Sequence, residues 1–258
     1  MVVADLHVHT THSDGTLTLE AIPAVARAAG LAAVAVTDHD RFHPDLAAPL
    51  TQVDGITLIH GIELRVQAEG VRVDLLGYGL RRTPALRTLV EDLQENRLDR
   101  ARQIVDCLEE YLGVHLDVEI EPGVGRPHVA RAVEASSAPY DYQDAFDELI
   151  GNDCPCYVSR DIPSFAKGRE ILTAACGLVG IAHPLRYSNP ERALELAPEL
   201  DAIEVYYPYG HDVSLGRVRR LAVEHDLVVT GGSDAHGREL ALAGLGRDDY
   251  EQFRACIE

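Results

Sequence analysis

No apolar run in this 258-residue chain reaches the roughly 18 residues that a bilayer-spanning helix needs, so no membrane helix is expected. The first residues lack a basic segment followed by an apolar one and a small-residue cleavage site, and the expected compartment is the cytoplasm. Positive charge is scarce, with 23 Lys and Arg against 42 Asp and Glu and a net charge of −19. Such a surface disfavours a long groove for duplex nucleic acid, whose affinity rests on neutralising phosphates. It does not exclude a small anionic substrate, because bound cations invert the field locally. Lysine is nearly absent; Lys167 stands alone, and the remaining positive side chains are arginine. The cysteines are few, odd in number and scattered: Cys107, Cys154, Cys156, Cys176 and Cys256. Without an export signal they are expected to be free thiols, and Cys-Pro-Cys at 154–156 is weak evidence for a metal.

What is present is an alternation. Runs rich in β-branched residues, at 1–7, 32–39, 56–63, 71–79, 177–184, 201–207 and 226–236, read as strands. Amphipathic stretches separate several of them, such as Leu19, Ile22, Val25, Ala26 and Ala29 ahead of Gly30, with Pro23 delaying the helix start. Mostly apolar strands alternating with helices predict a parallel sheet or barrel. The segment 84–164 breaks the rhythm, with a long helix from Pro84 and two shorter ones over GRPHVARAVE and DYQDAFDELI. The expected organisation is therefore a barrel formed by 1–83 and 165–258, with 84–164 as a helical insertion.

The polar clusters share one location. His7 and His9 close the first strand, Asp38 and His39 the second, and Glu63 the third. Asp74 lies inside the hairpin-like fourth run, His183 ends the fifth, Glu204 falls within the sixth, and Asp234 and His236 follow the last. Strand ends on one face of an α/β barrel carry its chemistry. His-x-His in an extended chain puts both imidazoles on one side, and Asp-x-His does the same for a carboxylate and an imidazole. One such pair would be weak evidence; several at strand ends predict a convergent metal site.

The motifs DLHVHTTHSDG, VTDHD, GIE, AHP and GGSDAHG, in that order, resemble the polymerase-and-histidinol-phosphatase (PHP) family of metal-dependent phosphoesterases. The insertion with GRPH is more similar to the branch of small phosphoesterases that includes nucleoside 3′,5′-bisphosphate phosphatases. The resemblance implies a distorted seven-stranded α/β barrel and three divalent ions, whether Mn, Zn, Fe or Mg. It implies that His7, His9, Glu63 and Asp234 hold the first ion. Glu63 would bridge to a second ion completed by His183 and position 74, and Asp14, His39 and His236 would hold a third. Eight of the nine ligand positions match. The ninth departs: the pattern expects histidine where this chain has Asp74, which can still bind a hard divalent ion.

The implied reaction is attack of activated water on the phosphorus of a small, nucleotide-like phosphomonoester, with Asp14 or His236 assisting the leaving oxygen. Arg126 and His128, in GRPH at a helix start, read either as a phosphate seat or as a capped helix with a surface arginine. Arg186 reads either as a phosphate ligand or as a loop ion pair. Glu204 reads as structural, and Asp5 and Asp38 as groups that orient ligand imidazoles. The rivals are a histidinol-phosphate phosphatase, a 5′-3′ exonuclease on short RNA, an amidohydrolase bridged by a modified lysine, and an inactive metal-binding module. The oligomeric state is left open.

Overall fold

The computed structural model describes residues 1–257. A mixed sheet forms the core, its strands running in the order β1 (Ala4–Val8), β2 (Ala33–Val36), β4 (Ile56–Ala68), β5 (Val71–Tyr78), β6 (Leu178–Ile181), β7 (Ala202–Tyr206) and β8 (Val228–Gly231). An additional strand, β3 (Leu50–Val53), pairs with β4 outside this path. The sheet curls so that Ala235, just past β8, bridges back to Val8 of β1. Gly232 permits that approach, since a Cβ there would stand 2.3 Å from the backbone nitrogen of His7.

The fully parallel expectation fails on either side of β4 and at β6. β3–β4, β4–β5 and β5–β6 are antiparallel, whereas the pairs β1–β2, β2–β4, β6–β7 and β7–β8 are parallel. The reason is local. Ala68 pairs with Val71 across a two-residue turn, with Gly70 at φ +75°, a value glycine adopts without a Cβ penalty. A two-residue link can only join antiparallel strands.

Helices α1 (Ile22–Ala28), α5 (Phe165–Ala175), α6 (Pro190–Leu196), α7 (Gly216–Glu224) and α8 (Arg247–Ile257) belong to the same unit as the sheet. Pro23 sits in the first turn of α1, where its missing N–H costs nothing, and a 3₁₀ turn at Leu19–Ala21 precedes it. Apolar strand residues such as Leu6, Ala35, Ile59 and Leu76 cluster with Tyr78, and α8 contributes Phe253 and Ile257 to the same core. Tyr78 and Phe253 meet edge to face at 5.1 Å.

The chain divides into two compact units, residues 1–90 with 162–258, and residues 91–161. Helix α2 (Pro84–Leu112) carries the chain into the second unit, which holds α3 (Arg126–Ala135), α4 (Tyr142–Asp144) and a wider-pitched turn at Ala145–Ile150. Ile104, Leu108, Val129, Val133, Leu149 and Ile150 give that unit its own core. Here the free-thiol expectation is corrected: Cys107 and Cys156, 49 residues apart, form a disulfide. Packing of α2 against the turn after Ile150 brings them together, and no local pattern encodes that. Cys154, Cys176 and Cys256 are unpaired. No described helix is long and apolar enough to cross a membrane.

Candidate metal centre

Three groups of metal-ligating side chains converge at one end of the sheet: His7, His9, Glu63 and Asp234; Glu63, Asp74 and His183; and His9, Asp14, His39 and His236. In each group the ligand atoms lie within 4.8 Å of one another. Glu63 belongs to two groups, with Oε1 3.0 Å from His183 Nε2 and Oε2 2.7 Å from His39 Nδ1. His9 also belongs to two. Its Nε2 is 3.0 Å from Asp234 Oδ1, and its Nδ1 is 4.0 Å from Asp14 Oδ1.

The backbone is built to make this convergence. β4 continues past Glu63 into the hairpin with β5, so the early half of antiparallel β5, carrying Asp74, reaches the same end as the parallel strands. His183 and Asp234 follow β6 and β8 with φ of +27° and +49°. Left-handed backbone in non-glycine residues is uncommon and costs about 1–3 kcal/mol, and it concentrates where function fixes a side chain. The turn after His9 closes on Gly15, where a Cβ would fall 2.3 Å from the His9 carbonyl oxygen. Asp38 holds this turn by accepting from Thr10 N–H, Thr10 Oγ1 and Ser13 Oγ. Asp5 accepts from Ser233 N–H, Ser233 Oγ and Ala241 N–H. The two aspartates therefore set loops, not imidazoles, which corrects that expectation. The group on the His7 imidazole is Glu204: its Oε1 lies 3.1 Å from His7 Nδ1, and its Oε2 accepts from the His183 N–H at 2.6 Å. A carboxylate on Nδ1 keeps the proton there and leaves Nε2 for a metal.

The donor set fits divalent ions. His7 Nε2, both ring nitrogens of His9, Glu63 Oε2 and Asp234 Oδ1 are buried without a hydrogen-bond partner. Buried polar atoms left so are rare and costly, and five of them facing one another ask for a cation. The titration pattern shows the same need. Burial disfavours charge on His7, but Glu204 and Glu63 outweigh it and raise its pKa well above the usual value. Burial likewise disfavours charge on Glu63, yet His39 and His7 hold its carboxyl well below the usual range. His39, half-buried, is raised to about 9 by Glu63 and Asp14 against the cost of desolvation. His9 drops to about 4 through burial and the neighbouring His39 charge. Protons thus supply the positive charge that metal ions would bring, and ions binding here displace them.

Arg186 lies against a ligand: its Nη1 is 2.9 Å from Asp234 Oδ2, and Tyr207 Oη donates to the same oxygen at 2.9 Å. Asp234 Oδ1 makes no hydrogen bond and faces His9 Nε2 at 3.0 Å. Arg126 and His128 lie in the second unit at the start of α3. There Arg126 donates to the Ile150 carbonyl and stacks over Phe146, and His128 Nδ1 accepts from Gly125 N–H. Lys167 is on α5, ion-paired with Glu170. Sequence reasoning passes over Tyr207 and Arg65. Arg65 was findable, because a two-residue turn at Glu69–Gly70 fixes the register that sets Arg65 opposite Asp74.

A PHP domain model matches residues 5–151, more than half of the chain. The chain belongs to the PHP family. Among PHP relatives, the chain is similar to a phosphoribosyl 1,2-cyclic phosphate 1,2-diphosphodiesterase from Eggerthella lenta, at 31% identity over 98% of this chain and 99% of that one. It is also similar to a 3′,5′-nucleoside bisphosphate phosphatase from Chromobacterium violaceum, at 30% identity over 92% and 88%. A 5′-3′ exoribonuclease from Haemophilus influenzae is 33% identical, covering 71% of this chain and 69% of its own. A solved structure from Bifidobacterium adolescentis shares the PHP protein's fold with a TM-score of 0.77 at 24% identity, covering 99% and 96%. An amidohydrolase from Chromobacterium violaceum, solved with sulfate bound and no metal, matches with a TM-score of 0.72 at 25% identity over 98% and 96%.

Proposed function

We propose that this PHP protein is a metal-dependent phosphoesterase that hydrolyses a small phosphomonoester, the 3′-phosphate of a nucleoside 3′,5′-bisphosphate. The observation that carries the reading is the set of buried, unpartnered ligand atoms around Glu63. Divalent ions held there would lower the pKa of a bound water and offset charge on the phosphoryl oxygens. His7, His9, Glu63 and Asp234 would hold one ion, and Asp14, His39 and His236 another. Glu204, Arg186 and Tyr207 keep the His7 and Asp234 ligand atoms aimed. Asp14 and His236 are the most exposed members, with side chains 33% and 40% accessible and 3.3 Å apart, and they are assigned to the leaving-oxygen side. A glutamate in the bridging position, with Lys167 elsewhere on α5, favours phosphate esters over the modified-lysine chemistry of a C–N hydrolase.

The similarity to a 3′,5′-nucleoside bisphosphate phosphatase over 92% of this chain is the reason to favour a bisphosphate. Burial and the nearby guanidinium groups of Arg126, Arg160 and Arg97 lower the Arg100 pKa to about 10. Arg97, Arg100, Arg126 and Arg160 cluster in the inserted unit, and Arg126 and His128 at the start of α3 are assigned to substrate phosphate.

The test is phosphate release from adenosine 3′,5′-bisphosphate, beside 3′-AMP, 5′-AMP, histidinol phosphate and a ribose 1,2-cyclic phosphate, with Mn²⁺. The bisphosphate is expected to have the highest kcat/KM. Preference for the cyclic diester, or for short 5′-phosphorylated RNA, would replace this substrate while keeping the phosphoesterase. Arg126→Ala is expected to raise KM for the bisphosphate about tenfold, the size of one charge-assisted hydrogen bond, and to leave a simple aryl phosphate unaffected. Equal effects on both would remove Arg126 from substrate binding.

A further inference from the structure

The group Glu63, Asp74 and His183 differs from the other two in one respect: its aspartate is already taken. Arg65 Nε donates to Asp74 Oδ1 at 2.6 Å and Arg65 Nη2 to Oδ2 at 2.5 Å, so both carboxylate oxygens are engaged by one planar guanidinium. The register places the two residues directly opposite on β4 and β5, on the same face as Glu63 two residues earlier. Asp74 is buried and cannot turn to water, and its backbone N–H is fixed by Tyr187 Oη at 2.7 Å. Its Oδ2 is also 3.9 Å from His183 Nε2. No Asp74 oxygen stands among the unpartnered buried atoms, whereas Glu63 and Asp234 each contribute one. The positive charge that this pocket needs is therefore already present and covalently part of the chain.

We propose that Arg65 is the resident cation of the second metal pocket, so that this protein holds two divalent ions tightly and a guanidinium in place of the third. The proposal rests on the reading of the site as a metal centre and not on the substrate. An ion entering at Asp74 must share an oxygen with a bidentate arginine and sit beside its charge. Losing a favourable outer-sphere partner typically weakens metal binding about 10–100-fold, and an opposing cation on the ligand itself is expected to act at least as strongly. Arginine suits the role because it cannot lose its proton and its fork matches a carboxylate. The Asp74 carboxylate further raises the already high pKa of Arg65.

The experiment is Mn²⁺ titration of chelator-stripped protein, followed by calorimetry and by metal analysis after desalting. The wild type is expected to retain two ions per chain, with a third entering only at about 10–100-fold higher concentration. Asp74→Asn is expected still to retain two, because Asp74 is not a ligand of a tightly held ion. Arg65→Met is expected to retain three. Since that variant leaves a buried carboxylate unpaired, the double variant Arg65→Met with Asp74→His provides a second route to three ions, and thermal melting reports whether each variant folds. Three ions of similar affinity in the wild type, or loss of an ion in folded Asp74→Asn, overturns the proposal while leaving the phosphoesterase reading in place. Binding of no ion overturns both.

Discussion

Asp234 and Asp74 are both buried carboxylates in candidate metal groups, and each meets an arginine. The difference is the number of oxygens that the arginine takes. Arg186 and Tyr207 share Oδ2 of Asp234 and leave Oδ1 facing His7 and His9. Arg65 takes both oxygens of Asp74. An arginine is thus a support for a metal ligand in one pocket and a substitute for the metal in the other. Which one it becomes depends on geometry alone: Arg186 reaches Asp234 from a separate loop, end on, whereas Arg65 lies beside Asp74 in a hairpin ladder that aligns their planar groups.

The largest expected effect is at Glu63, which both pockets share. Glu63→Gln removes the buried charge that balances His7 and His39. It is expected to lower kcat by at least about 10²–10³-fold, the loss found when one preorganised electrostatic stabiliser is removed. Metal analysis should show the tightly held ions reduced in the same sample. Unchanged metal content would mean that the first group is not held together through Glu63.

Arg186 provides the sharpest contrast with Arg65. Arg186→Ala is expected to weaken the tightest Mn²⁺ site about 10–100-fold, as outer-sphere losses do. The Arg65→Met change has the opposite sign and adds a site. Calorimetric titrations that moved in the same direction for both would break the comparison between the pockets.

The histidines extend it to pH. His39, facing Glu63 and Asp14, has a folded-state pKa raised to about 9. In metal-free protein its contribution to stability is complete below pH 6.5 and is lost as pH rises through 9. Melting temperatures of chelator-treated protein should therefore fall between pH 7 and 9, and Mn²⁺ should remove most of that dependence by replacing the proton. A metal-free protein whose melting temperature is flat over this range would contradict the assignment.

His60 lies on the same strand as Glu63, and the pull of the Asp38 carboxylate on it is outweighed. Burial and Arg82 lower its pKa to about 3, and neither ring nitrogen has a hydrogen-bond partner. The folded protein leaves it neutral, while the unfolded chain protonates it near pH 6.5. Stability is therefore lost as pH falls from 6.5 towards 3. His60→Leu should flatten that part of the acid limb, an effect read from urea midpoints at pH 7 and pH 4.5. An unchanged slope would show that His60 is protonated in the fold.

Much of the site is legible locally. His7 and His9 share a side because extended backbone repeats every two residues; Asp234, with φ of +49°, departs from that pattern, and the loop after β8 sets its direction. The strands were legible as β-branched runs except β3, whose Leu-Thr-Gln-Val carries only one weak alternation. The antiparallel β4–β5–β6 segment and the short link at Glu69–Gly70 were readable too, but the general expectation of parallel strands obscured them. Arg65 went unread for that reason: its partner follows from turn length, not from any motif.

The sequence by itself determined which residue types stand at strand ends, and hence that carboxylates and imidazoles alternate there, because these are properties of a few neighbouring backbone torsions. Only the tertiary structure decided which of those groups stay free. Glu204 reaches His7 from 197 residues away, Arg186 reaches Asp234 from 48, and Cys107 finds Cys156 from 49. A side chain's last hydrogen bond belongs to whatever the closed sheet brings beside it, and no period in the chain records that meeting.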